Sequence, residues 1–318
     1  MQNLIKSIPQ HINEGFYAKK YRKIEKPMVI HYFGMGGSGI SGDLLQQYMK
    51  SISDVPVILT KDYSTPHVTR NSLLIFVSYS GNTEETIFNF KKFQNQRNIF
   101  VVSSNGELLS LAKQKNLEHY EVPKGLPPRT ALGYIFSSIA KFLNDSEIIN
   151  VENEIKETIV VLERNMRGYE KQGEKIAESL IKKIPIIYAL SEKFYPVAYR
   201  FQCQLNENSK IFAHSHCFPE MNHNEIMGYL GFPEITKFFT ILFLISGEDP
   251  LKNIKRKEII KRIIKDIPFI EIKADGSTTI TRFFSLIVQT DFVSYYLALK
   301  RNKDPFEIPL IEKLKKEL

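Results

Sequence analysis

The feature that most limits how this chain can fold is a recurring unit: a short apolar run, a cluster of turn residues, then a stretch with helical spacing. MVIHYF from Met28 stops at a glycine cluster, VPVIL starts at Val55, SLLIFVSYS at Ser72 and NIFVVSS at Asn98. Apolar runs this short, bounded by Gly, Ser and Asn, read as strands buried on both faces. Strands that alternate with helices lie side by side in a parallel sheet with helices on either side. The rhythm returns at PIIYAL from Pro185, KFFTILFLI from Lys237 and PFIEIKA from Pro268. Between the two sets, residues 151 to 183 carry Ile155, Ile159, Leu162 and Met166 at three- or four-residue spacing, which predicts a bridging helix. A chain of 318 residues exceeds the usual size of one core. The expected fold class is therefore α/β with two domains, 1–150 and 151–318, each a parallel sheet flanked by helices.

Composition narrows the function classes. The longest apolar run, Phe238 to Ile245, is far shorter than the ~20 residues of a spanning helix, so no membrane segment is expected. The opening residues lack a basic start followed by an unbroken apolar stretch, so a cytoplasmic location is expected. Cys203 and Cys217 are too few for a disulfide framework and read as free thiols. The net charge of +8 is spread along the chain without a nucleic-acid motif. It predicts no nucleic-acid partner, and it favours small anions or simply a solvated lysine-rich surface. After the apolar-periodic residues 283 to 299 and a break at Asp304-Pro305, residues 308 to 318 form a short, lysine-rich amphipathic segment. It reads either as a helix closing over a cleft or as a cap.

Two loops carry the candidate chemistry. Gly34-Met35-Gly36-Gly37-Ser38-Gly39 matches G-x-G-x-x-G between a strand and a helix, a pattern that admits an anion at a helix N-terminus or serves as a tight turn without ligand. Asp62, after the second strand, keeps a dinucleotide reading open. Ser78-Tyr79-Ser80-Gly81-Asn82-Thr83 ends the third strand ahead of a helix starting near Glu84. It gathers the Ser78, Ser80 and Thr83 hydroxyls with backbone N–H groups, a donor set suited to a phosphate monoester.

With GMGGSG and SYSGNTEET in this order, the chain resembles the SIS (sugar isomerase) family. Through GLPPRTALGY, NENSK, PEMNHNE and the terminal EKLKKEL it resembles, more narrowly, the bifunctional phosphoglucose/phosphomannose isomerases. The resemblance implies two SIS-type domains and aldose-ketose isomerisation of glucose 6-phosphate and mannose 6-phosphate with fructose 6-phosphate. Gly36, Gly37, Ser38, Ser78, Ser80 and Thr83 would hold the phosphate. Glu207 would be the base that moves a proton between C2 and C1, and Arg129 the cation beside the enediol. His223 and Lys315 would open the sugar ring, with Lys316 one residue away. Blind to the resemblance, Glu207, Arg129 and the lysines read as surface residues. The resemblance also implies a homodimer with composite sites and a reaction without cofactor or metal. A competing local reading is a transition-metal site at His214, His216, Cys217 and His223. Two other functions stay open: a non-enzymatic sugar-phosphate sensor, and an NAD(P)-dependent oxidoreductase resting on the glycine pattern.

Overall fold

The alternation of strand and helix is realised in the chain path, which a computed structural model describes for residues 1–317. Contacts divide it into two units, Ser7–Val160 and Met1–Lys6 with Val161–Leu318. A short helix, α1 (Gln2–Lys6), opens the chain and belongs with the second of these. The first unit then runs through α2 (Ile8–Tyr17), β1 (Val29–Phe33), α3 (Gly36–Ile52), β2 (Val57–Thr60), β3 (Ser72–Ser78) and α4 (Glu84–Phe93). It continues with β4 (Asn98–Ser103), α5 (Gly106–Gln114), β5 (Glu118–Glu121) and α6 (Leu132–Asp145), and ends in the first part of α7 (Glu152–Ser179).

All pairings in this sheet are parallel, in the order β2-β1-β3-β4-β5, with Phe33 opposite Phe76 and Phe76 opposite Val101. Strand β3 is central and buried at every position because both of its faces are covered. On one face Phe33, Leu74, Phe76, Ile99 and Val101 pack with Ile87 and Phe90 of α4 and Leu108 of α5. On the other, Phe100 stacks on Phe142 of α6 with ring centroids 4.3 Å apart. Removing one such buried ring costs about 3–5 kcal/mol.

The second unit adds β6 (Ile184–Ala189), α8 (Tyr195–Ser209), β7 (His214–Cys217), α9 (Pro233–Thr236), β8 (Phe239–Ile245), α10 (Leu251–Ile263), β9 (Phe269–Lys273), α11 (Thr279–Lys300) and α12 (Pro309–Glu317). Its sheet is also parallel, ordered β7-β6-β8-β9. Tyr188, Phe218, Met221, Phe243 and Ile260 fill one side of it. Helix α8 is riveted to α11 by a buried ion pair, Arg200 to Asp291 at 2.6 Å, and by Gln204 donating to the other Asp291 oxygen at 3.0 Å.

Two strands escape an apolar-run reading. β5 is Glu-His-Tyr-Glu and β7 is His-Ser-His-Cys. Both are edge strands, paired on one side only, where polar side chains are tolerated and discourage further pairing. Helix α3 begins at Gly36, so Gly36, Gly37 and Gly39 lie in its first turns. The terminal helix has no buried residue. Leu310 is 83 % exposed, and Leu318, the last residue of the expected segment, lies outside the described residues.

Candidate active site

In the first unit the loop after β3 is held from within. The Ser78 hydroxyl is buried, accepts the Gly81 N–H at 3.1 Å and lies 2.8 Å from the Thr83 hydroxyl. Ser80 is exposed, and its oxygen accepts the Asn82 N–H at 3.2 Å. Thr83 is the N-cap of α4 but makes no side-chain cap, and first-turn N–H groups of a helix have no partner inside it. Donor hydroxyls and a positive helix end therefore occur together at residues 78 to 86. Glu84 is exposed, and its carboxylate is hydrogen-bonded to the Tyr63 side chain.

This loop interlocks with the one after β4. Gly81 has φ +70°, and a Cβ there would lie 1.7 Å from the Asn105 carbonyl oxygen. Gly106 has φ +74° and presses on the Ser80 carbonyl in the same way. Asn82 Oδ1 accepts the Glu107 N–H at 2.9 Å, and Leu108 donates to the Gly81 carbonyl at 2.9 Å. Residues 104 to 106 were not singled out from the sequence. The signal was present as a Ser-Ser-Asn-Gly turn after a strand beside the hydroxyl loop.

The glycine loop and the arginine meet the same cradle. Ser38 is buried, and its hydroxyl accepts the Tyr79 N–H at 3.2 Å, which ties the two loops together. Tyr79 in turn donates to the Pro123 carbonyl at 3.0 Å and accepts the Leu126 N–H at 2.8 Å, fixing the segment that leads to Arg129. A 3-10 turn, Pro128–Thr130, lies against Gly37, where a Cβ would come within 3.2 Å of Arg129 Cα. Arg129 is only 4 % exposed, so it is no surface arginine. A guanidinium held this deeply keeps its charge and a fixed direction. Asp62, by contrast, accepts the Ser64 N–H at 2.7 Å and closes its own exposed turn.

In the second unit Glu207 stands in the last turn of α8, half-buried, and the break follows it at Lys210, which takes the left-handed conformation with φ 51°. Its neighbours are anchored: Asn208 donates to Ser294 Oγ at 2.9 Å, Ser209 to the Ser294 carbonyl at 2.6 Å, and Lys210 to the Asp304 carbonyl. His223 is exposed at the end of a 3-10 turn, Glu220–His223, whose Met221 is buried in the core. Lys315 and Lys316 are both exposed on α12.

The histidine-rich segment is strand β7. His214 Nε2 donates to Glu225 Oε1 at 3.1 Å, and that bond, against opposing burial, raises the His214 pKa. His216 Nδ1 accepts the Cys217 N–H at 2.7 Å. Burial, then Glu192 and Glu220, push the Cys217 thiol up to about 11. Among the described residues no three His, Cys, Asp or Glu side chains converge as a metal site, and none of the helices is long and apolar enough to cross a membrane.

Two parallel sheets, one opening at its central strand into a hydroxyl cradle, define a protein of two SIS domains. The SIS domain model matches residues 23–124 and the bacterial phospho-glucose isomerase C-terminal SIS domain matches residues 169–318. A solved structure, the C-terminal domain of glucosamine-fructose-6-phosphate aminotransferase from Francisella tularensis, shares the fold with a TM-score of 0.75 at 16% identity, covering 96% of this chain and 97% of that one. The chain belongs to the family of bifunctional phosphoglucose/phosphomannose isomerases. It is 34% identical over 316 residues to that enzyme of Aquifex aeolicus, covering 96% of each chain. It is 35% identical over 297 residues to that of Caldicellulosiruptor bescii, covering 90% of this chain and 88% of the relative.

Proposed function

We infer that the protein interconverts glucose 6-phosphate and mannose 6-phosphate with fructose 6-phosphate through an enediol. The observation that carries this reading is the rigid hydroxyl and N–H cradle at the end of β3 with the buried Arg129 turn packed beside its glycine loop. Ser78, Ser80, Thr83, Gly36, Gly37 and Ser38 receive the phosphate. The cradle supplies donors and a helix N-terminus, which suits a phosphate monoester. Glu207 removes the C2 proton of the aldose and returns it to C1 of the enediol, and the reverse transfer consumes the ketose. Arg129 offsets the charge that develops on the oxygens, a contribution available only in the transition state. His223 and Lys315 open the ring. Glucose and mannose 6-phosphates differ only at C2, and both lose that difference in the enediol.

In this reading the enzyme works as a homodimer in the cytoplasm, the histidine being offered across the interface, and it needs neither cofactor nor metal. The oxidoreductase alternative is not favoured, since the Asp62 carboxylate is engaged in its own turn. The test is a coupled assay with fructose 6-phosphate, following glucose 6-phosphate and mannose 6-phosphate separately, with and without a chelator. Both products at unchanged rates are expected. No turnover, with fructose 6-phosphate still bound, would leave a sugar-phosphate sensor, and loss of rate with chelator would make the reaction metal-dependent.

A further inference from the structure

The mechanism above uses His223 and leaves His214, Glu225, Tyr188 and Tyr229 unemployed, although they form one hydrogen-bonded cluster. Glu225 begins the 3-10 segment Glu225–Leu230 two residues after His223. Its Oε1 accepts from the Tyr188 hydroxyl and from His214 Nε2, so a single carboxylate oxygen reaches both β6 and β7. Tyr188 is fully buried in the core of its sheet and accepts in turn from the Tyr229 hydroxyl at 2.6 Å. The backbone around His223 is bracketed as well. Asn224 Oδ1 accepts the Glu225 N–H at 2.6 Å, while its Nδ2 donates to Glu220 Oε1 at 3.0 Å across the turn. Met221 is buried two residues before the histidine.

An exposed histidine on an irregular turn has no regular ladder to fix it. Here the two flanking side chains that do are Met221, seated in the core, and Glu225, bonded to the sheet. The glutamate is the revealing one, because a half-buried carboxylate is costly unless its partners are in place. Burial works against its ionisation, and the bonds from His214 and Tyr188 outweigh that, holding its pKa below the usual range.

We propose that Glu225 is a positioning residue, clamping the His223 turn to β6 and β7 through Tyr188 and His214 so that the imidazole is held ready for ring opening. The inference rests on the isomerase reading and on the role assigned there to His223. It gives His214 a task as the clamp's second donor rather than as a metal ligand.

The experiment uses the full-length protein. Turnover of fructose 6-phosphate is compared for the wild type, Glu225→Ala, Glu225→Gln, Tyr188→Phe, His223→Ala and the double variant of Glu225→Ala with His223→Ala. Affinity for sorbitol 6-phosphate, an acyclic hexitol phosphate with no ring to open, is measured on each. Glu225→Ala should lower kcat roughly 10- to 100-fold, as expected for a displaced catalytic group. It should leave sorbitol 6-phosphate affinity within about threefold and add nothing to the His223→Ala loss. Glu225→Gln keeps an oxygen that accepts from Tyr188 and His214 and should retain most of the rate. Tyr188→Phe keeps the ring in the core and should show a milder loss with the same signature, and it carries the test if Glu225→Ala does not fold. Unchanged kcat, a parallel loss of sorbitol 6-phosphate affinity, or losses that multiply with His223→Ala would each overturn the clamp. A wild type without turnover, or a His223→Ala variant with full turnover, would overturn the underlying reading and the clamp with it.

Discussion

Replacing Gly81 by alanine should disrupt the loop after β3, and the structure gives the size of the effect. The residue sits at φ +70°, where an L side chain costs about 1–2 kcal/mol. Its new Cβ would lie 1.7 Å from the Asn105 oxygen, whereas contacts under 3.0 Å essentially never occur, so the two loops must part by at least about 1.3 Å. That movement stretches the Leu108 bond to the Gly81 carbonyl and the Ser104 bond to the Tyr79 carbonyl, each contributing about 1 kcal/mol. The loss comes to roughly 3–4 kcal/mol, on the order of 10 °C in Tm for a unit of this size. Gly125 supplies the control: it has φ +85° but nothing within 4 Å, so Gly125→Ala bears only the backbone cost of about 1–2 kcal/mol. Thermal unfolding followed by circular dichroism, with KM for fructose 6-phosphate measured in parallel, reads both effects. Equal Tm losses in the two variants, together with an unchanged KM in Gly81→Ala, would refute the interlocked-loop argument.

The remaining predictions concern the second unit. Glu207→Gln should cut kcat by about 10²- to 10⁴-fold, the range of a lost general base, while sorbitol 6-phosphate still binds; retained turnover in a steady-state assay would remove Glu207 from the chemistry. Asp291→Ala should cost about 3–5 kcal/mol by breaking the buried pair with Arg200, and denaturant unfolding showing under 1 kcal/mol would contradict that. The Glu225–His214 pair should give stability a bell-shaped dependence on pH. Glu225, held below its ordinary value of 4.5, contributes fully above that pH and loses its contribution as pH falls through its lowered folded pKa. His214, raised from 6.5, contributes fully below that pH and loses its share as pH rises through its raised folded pKa. The wild type should therefore exceed Glu225→Gln by most between those values. The margin should be at most about 1 kcal/mol because His214 is half exposed, and a difference flat from acid to alkaline pH would count against the pairing.

Much of this architecture is legible from residues because parallel strands covered on both faces write themselves as apolar runs. The runs at Ser72 and Asn98 became β3 and β4 because nothing polar had to face water there. The edge strands β5 and β7 were illegible for the opposite reason: their partners are on one side only, so Glu118, His119, His214 and His216 are admitted. The hydroxyl loop announced itself through residue type and position. Its rigidity did not, since it depends on Asn105 and Gly106, more than twenty residues away in sequence. Arg129 looked like a linker arginine because neither Pro127 nor Pro128 tells a reader that the turn they stiffen will rest on Gly37.

Surface loops usually exchange their amide hydrogens quickly, because little must break for them to open. The turn after β3 has the opposite construction. Its Gly81 amide is bonded to Ser78, while the Ser104 and Leu108 amides are given to the backbone at Tyr79 and Gly81, and all of it hangs from the central strand. Freeing the Ser104 or Leu108 amide means separating the loops at two strand ends, so these two amides should exchange with the slow rates of the sheet. The loop is thus ordered in advance, and a ligand settling there would have little disorder left to remove.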